Sequence, residues 1–149
     1  MPEGHCRADF YEFQGNCYKL LGTEGEESKK DWHGAKDACI NFDRDAVYDL
    51  VSMHSSREAA FVTTMLGDLP SDKFVSFWIG ATEGAATEGI WWWSDESKWD
   101  FTNWAPGEPN DWNSVYQLNN SFLLSSFIKP VDIWDFFNSY CLTYYVIGV

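Results

Sequence analysis

The sequence has no apolar run near the roughly 20 residues that a bilayer crossing needs, so no membrane insertion is expected. It is also poor in positive charge. Ten Lys and Arg stand against 23 Asp and Glu, a net charge of -13, and the isoelectric point is about 4.3. Nucleic acid and anionic membrane demand a surplus of Lys and Arg, so cations are the more natural partners. No C-x-x-C pair occurs among Cys6, Cys17, Cys39 and Cys141, which argues against zinc ribbons and thioredoxin-like redox motifs. Nor is there a G-x-S-x-G, an H-E-x-x-H or a phosphate loop. His5, His33 and His54 fall on different segments with no nucleophile or ligand spacing around them, so the chain does not read as an enzyme. His54, before Ser55-Ser56, reads as a surface turn residue. The start, Met1 to Cys6, lacks the basic and apolar stretches of a signal peptide. The chain is therefore read as a mature form, an excised fragment, or one domain of a larger precursor.

At 149 residues the expectation is one domain over 1–149 with a real core, burying roughly 70% of the unfolded surface. There is no internal repeat. An even number of cysteines favours disulfides, and hence an oxidising compartment. Three connectivities are open. Joining Cys6 to Cys17 would be worth about 3 kcal/mol in the chain-entropy model, and joining Cys39 to Cys141 about 4.7.

Phe10 to Leu20 alternates around Gln14-Gly15-Asn16 and predicts a hairpin. Trp32, Ala35 and Cys39 share one face of a helix, with Ser28 and Asp31 at capping-box spacing in front. Leu50 to Met53 predicts a brief strand. Ser55 followed by Glu58 opens a second helix that ends by Gly67. Phe74 to Ala81 predicts a buried central strand, and Tyr140 to Val149 a last one. Between Trp91 and Asp111 the density of indoles, prolines and oxygen-bearing side chains predicts a long structured loop instead of a helix, which Pro106 and Pro109 would break. Trp78, Trp91, Trp93 and Trp104 read as core or loop anchors. Trp92 and Trp99 are expected to face out. Asp95, Glu96 and Asp100 read as solvated loop acids, with an accessory calcium cluster as the less favoured reading. Past Asp111 only Lys129, Asp132 and Asp135 are charged, an abrupt change of character.

Taken in order, these pieces resemble a long-form C-type lectin-like domain. The resemblance rests on the Cys6 to Cys17 hairpin, the W-x-x-A-x-x-x-C helix of Trp32, Ala35 and Cys39, and Leu50-Val51-Ser52. It continues through Phe77-Trp78-Ile79-Gly80, Trp91 to Asp95, Thr102-Asn103-Trp104 and Pro106-Gly107-Glu108-Pro109-Asn110. It covers residues 6–111, and residues 112–149 are divergent or aberrant. The late cysteine pair and Trp-Asn-Asp triplet of relatives are missing, with Trp134-Asp135 the nearest echo and Asn119-Asn120-Ser121 a formal glycosylation sequon. The resemblance implies an α+β fold of two helices, small antiparallel sheets and a long loop, stapled by Cys6 to Cys17 and Cys39 to Cys141. An extracellular or secreted protein is expected.

The same resemblance implies a cis peptide bond before Pro109 and calcium held by Glu108, Asn110 and Asp111, with Asp135 as a further ligand. Glu108 and Asn110 would also hold the sugar. The Glu-Pro-Asn order goes with mannose, fucose, glucose and N-acetylglucosamine, and the partners would be glycans or glycoproteins. The competing reading is a calcium-independent protein-binding or ice-binding-like module that has kept the scaffold and lost the sugar site.

Overall fold

The computed structural model describes residues 6–21, 31–44, 46–67, 77–83, 89–104, 121–123 and 142–147. Strands β1 (Tyr11–Phe13) and β2 (Asn16–Leu21) form the expected hairpin, with Phe13 opposite Asn16. The two-residue turn places Gln14 at φ 51° and Gly15 at φ 82°, the left-handed pair whose twist matches that of the flanking strands. Cys6 and Cys17 are joined in a disulfide that clips the chain entering this hairpin.

Helix α1 (Trp32–Ile40) buries Trp32, Ala35 and Cys39, the three residues whose spacing predicts its inner face. Asp31 is itself the cap: its side chain accepts from the Gly34 N–H at 2.8 Å. Helix α2 (Ser56–Gly67) begins where the Ser55 hydroxyl accepts from the Glu58 N–H, and it buries Ala59, Val62 and Met65. The expected strand over Leu50 to Met53 is not one. This stretch is buried, and the Val51 carbonyl accepts from the Gly80 N–H at 2.9 Å, but it forms no ladder. Burial of four successive residues gives it a strand's composition without a strand's repeated pairing.

The remaining strands are β3 (Phe77–Glu83), β4 (Trp91–Trp93), β5 (Ser121–Leu123) and β6 (Leu142–Ile147). They complete one six-stranded sheet ordered β1-β2-β6-β3-β4, with β5 also paired to β3. All pairs are antiparallel except β3 with β6. Thus two short strands of the charge-poor stretch take part in the sheet, and β6 lies between β2 and β3.

The core has two parts. One gathers Tyr18, Val51, Met53, Val62, Ile79 and Trp93 between α2 and the sheet. The other gathers Trp32, Ala35, Cys39, Tyr48 and Leu50 under α1. Trp32 joins α1 to β3 through its indole N–H, which donates to the Ile79 carbonyl at 2.8 Å. Cys39 is buried in the second part, and its expected partner Cys141 lies outside the described residues. No described helix is long and apolar enough to cross a membrane.

Candidate functional site

The run from Ser94 to Trp104 leaves β4 and leads into the Pro106 to Asp111 segment. Its first turn is closed by the Glu96 N–H donating to the Trp93 carbonyl at 3.0 Å, with Glu96 at φ 64°. The Asp95 carboxylate caps that turn by accepting from the Ser97 amide at 2.9 Å and the Ser97 hydroxyl at 2.6 Å. Beyond the turn the run has no strand or helix of its own. Aromatic packing holds it instead.

Trp93 is fully buried, and the Trp99 ring lies 4.6 Å from it. Trp91 meets Trp104 edge-on at 5.1 Å and Trp99 at 6.4 Å. Each such pair adds about 0.5–1.5 kcal/mol beyond the area it buries. Trp99 is therefore corrected: it is half-buried in this cluster instead of facing out. Because it lies in no strand, no alternation fixes its side. Trp92 does alternate within β4 and is 41% exposed, as expected.

Polar contacts tie the run to the body at two places. Lys36 on α1 donates to Asp49 at 2.9 Å and to the Ser94 carbonyl at 2.8 Å, while the Ser94 hydroxyl donates to Asp49 at 2.7 Å. On the other side, the Ser52 hydroxyl donates to Asp95 at 2.6 Å, and His54 Nδ1 meets Asp100 at 2.8 Å. The His54 hydrogen bond, opposed by some desolvation, holds the Asp100 carboxyl below its usual 3.8. His54 is thus more than a surface turn residue. Its backbone N–H donates to Glu58 at 2.7 Å, and its ring contacts Asp100, Ser52 and Trp93. Separations of 2 and 46 residues gave no pattern from which to read that cluster.

Asp95 and Asp100 are committed to these partners, and among the described residues no group of three His, Cys, Asp or Glu could hold a metal. Glu108, Pro109, Asn110, Asp111 and Asp135, the expected ligands and turn, lie outside the described residues. What the structure does describe is the anchored approach to them, up to Trp104.

Comparison with known proteins places this architecture in a family. The profile of the lectin C-type domain matches residues 28–121. Ladderlectin of Oncorhynchus mykiss is 28% identical over 144 residues, 86% of this chain and 70% of its own length. A C-type lectin of Micrurus corallinus is 35% identical over 113 residues, 74% of this chain and 65% of its own length, so the chain spans just under two thirds of that relative. Among solved structures, the cow C-type carbohydrate-recognition domain of CD23, determined in the presence of a GlcNAc2Man3 oligosaccharide, aligns with a TM-score of 0.64. It is 28% identical and 97% of each chain is covered. The chain belongs to the C-type lectin domain family. It is a binding domain and not an enzyme.

Proposed function

We propose that this chain is an extracellular or secreted, calcium-dependent carbohydrate-binding domain with a mannose-type preference. The observation that carries the reading is the sequence Glu108-Pro109-Asn110-Asp111, a few residues beyond a run held by the packed tryptophans Trp91, Trp93, Trp99 and Trp104. An anchored approach reduces the conformational freedom that the chain leading to these donors must lose on binding.

The donor set fits calcium. Glu108, Asn110, Asp111 and Asp135 supply carboxylate and amide oxygens and no sulfur or imidazole, the choice of a hard cation. Bound there, the ion would offer coordination positions to a pair of vicinal sugar hydroxyls. Glu108 only accepts hydrogen bonds, whereas the Asn110 amide both accepts and donates, so the two distinguish the two ends of a hydroxyl pair. Pro109 in the cis form would set both side chains to one side. The acidic surface draws cations toward the site, and the Cys6–Cys17 disulfide accords with an oxidising compartment. The partners are glycans or glycoproteins.

A mannose-agarose column tests the reading. Retention with calcium and elution by chelator are expected. Retention indifferent to the chelator would overturn the calcium dependence, and no retention at all would overturn the reading and favour a metal-free protein-binding module.

A further inference from the structure

The chain entering the hairpin, residues 6–10, is held at one end by the Cys6–Cys17 bridge and along its length by side chains. The bridge has little left to fix. Cys17 stands opposite Glu12 in the β1–β2 ladder, so the hairpin register already places the chain from Tyr11 onward, and the bridge constrains only the residues before it.

Side chains of that short arm reach three parts of the body. Arg7 donates to Asp43, just past α1, at 2.5 Å, and Asp9 accepts from Lys19 on β2. Phe10 meets the Phe42 ring edge-on at 6.1 Å and the Tyr48 ring at 6.0 Å. Both cations also lie over these phenyl rings. The Arg7 guanidinium is 5.8 Å from the centre of Phe10 and 5.9 Å from that of Phe42, and the Lys19 ammonium 5.4 Å and 5.8 Å. Each cation therefore has a carboxylate partner and two aromatic faces, which attract it through the ring quadrupole.

The receiving groups belong to the body and not to the arm. Lys19 and Asp43 are 20% and 25% exposed, whereas their arm partners Asp9 and Arg7 are half exposed. Lys19 is fixed by the pairing of β2 with β6, and Phe42 by its edge-on contact at 5.3 Å with the buried Tyr48. Neither support passes through the bridge.

We propose that residues 6–10 are seated by a cation–aromatic clasp, Arg7 and Lys19 over Phe10 and Phe42 with Asp43 and Asp9 as counter-charges, and that this clasp keeps the arm docked when the Cys6–Cys17 bridge is absent. The bridge confines the open arm; the clasp closes it. A reducing compartment, which would cut the bridge, leaves the arm in place.

Amide exchange at Phe10, whose N–H donates to the Arg7 carbonyl at 3.0 Å, reports the seated arm, and the α2 amides report the body against which it is read. Cys6→Ser removes the bridge and leaves the Cys17 sulfur packed where it is. Adding Cys17→Ala repeats the test without a free thiol at that position, and both variants leave Cys39 untouched. In each, Phe10 is expected to remain at least about tenfold protected relative to an unstructured peptide, since two ion pairs and the cation–aromatic contacts each contribute a factor of about two to five. Asp43→Asn should then speed its exchange about two- to fivefold. Phe42→Leu keeps an apolar side chain but strands both cations, and should speed it about five- to 25-fold. The same factors are expected with the bridge intact, because independent contributions multiply. A Phe10 amide exchanging at the peptide rate in the bridge-free variants, failure of both to fold, or a rate unmoved by Asp43→Asn and Phe42→Leu alike would overturn the proposal. These readouts need no sugar, so they stand apart from the carbohydrate reading.

Discussion

Replacing Tyr18 with phenylalanine removes a single hydroxyl from the centre of the fold. Tyr18 on β2 is fully buried, and its hydroxyl donates to Glu58 Oε1 at 2.6 Å. Glu58 on α2 is 6% exposed, and its other oxygen accepts from the His54 N–H at 2.7 Å. The substitution keeps the ring and its edge-on contact with Phe61 at 5.1 Å, so no cavity of consequence opens. What remains is a buried carboxylate with one partner fewer. A hydrogen bond to a charged group is worth about 1.5–3 kcal/mol, which is a 10- to 150-fold drop in the folding constant. For a domain of this size that lowers Tm by about 3–12 °C.

Urea unfolding at pH 7 should show the loss as a lower midpoint with unchanged slope. A second arm uses pH. Burial first, and then the Glu58 contact, raise the Tyr18 phenol above its ordinary 10.0. A raised folded-state value means that this stabilisation is whole below pH 10 and is lost as pH climbs, by about 1.4 kcal/mol per pH unit. The phenylalanine variant has no such group, so the gap between the two proteins should close above pH 10. A variant within about 0.5 kcal/mol of wild type at pH 7, or a gap that stays constant to about pH 11, would refute the reasoning.

Gly80→Ala should be destabilising by about 1–3 kcal/mol, because a Cβ there would sit 2.9 Å from the Leu50 carbonyl and 3.1 Å from that of Val51, neither of which can move freely. An unchanged Tm would show that the Leu50 to Ser52 segment is less tightly seated than described. Glu108→Gln combined with Asn110→Asp should move preference from mannose toward galactose on a glycan array; undiminished mannose preference, or loss of all binding, counts against the proposed donors. At the acid limit, the Lys19 hydrogen bond and the His54 hydrogen bond depress the carboxyls of Asp9 and Asp100 below 3.8. Their contribution is present above that value and disappears as pH falls below it, so Asp9→Asn and Asp100→Asn should lose less stability than wild type between about pH 4 and pH 2. Parallel acid denaturation curves for all three proteins would contradict this.

Much of the scaffold was legible in local pattern. Gln14-Gly15 specifies a turn of one hand, the spacing of Trp32, Ala35 and Cys39 specifies a helical face, and Ser55 with Glu58 marks a helix start. Each of these signals acts over a few residues, which is the range a pattern covers. The Leu50 to Met53 segment was misread because burial on all sides selects the same residues as pairing does. Trp99 and His54 were misread for a different reason. Trp99 meets Trp91 and Trp104, near in sequence but across a run that has no helical or strand period, and His54 meets Asp100 from 46 residues away, so no repeat links either residue to its surroundings. The candidate ligands themselves were legible only through family resemblance, since an acid, a proline and an amide in succession make an ordinary turn as readily as a metal site.

The position of β6 bears on how the molecule comes to be folded. This strand spans Leu142–Ile147 yet fills the middle of the sheet, between β2 and β3, so a ribosome must make the chain through Ile147 before the two halves can be zipped together. Until then β2 and β3 each expose a bare flank, and synthesis at about 5–20 residues per second leaves them so for seconds. A chain cut short ahead of Leu142 would keep that gap permanently and invite stray strands into it.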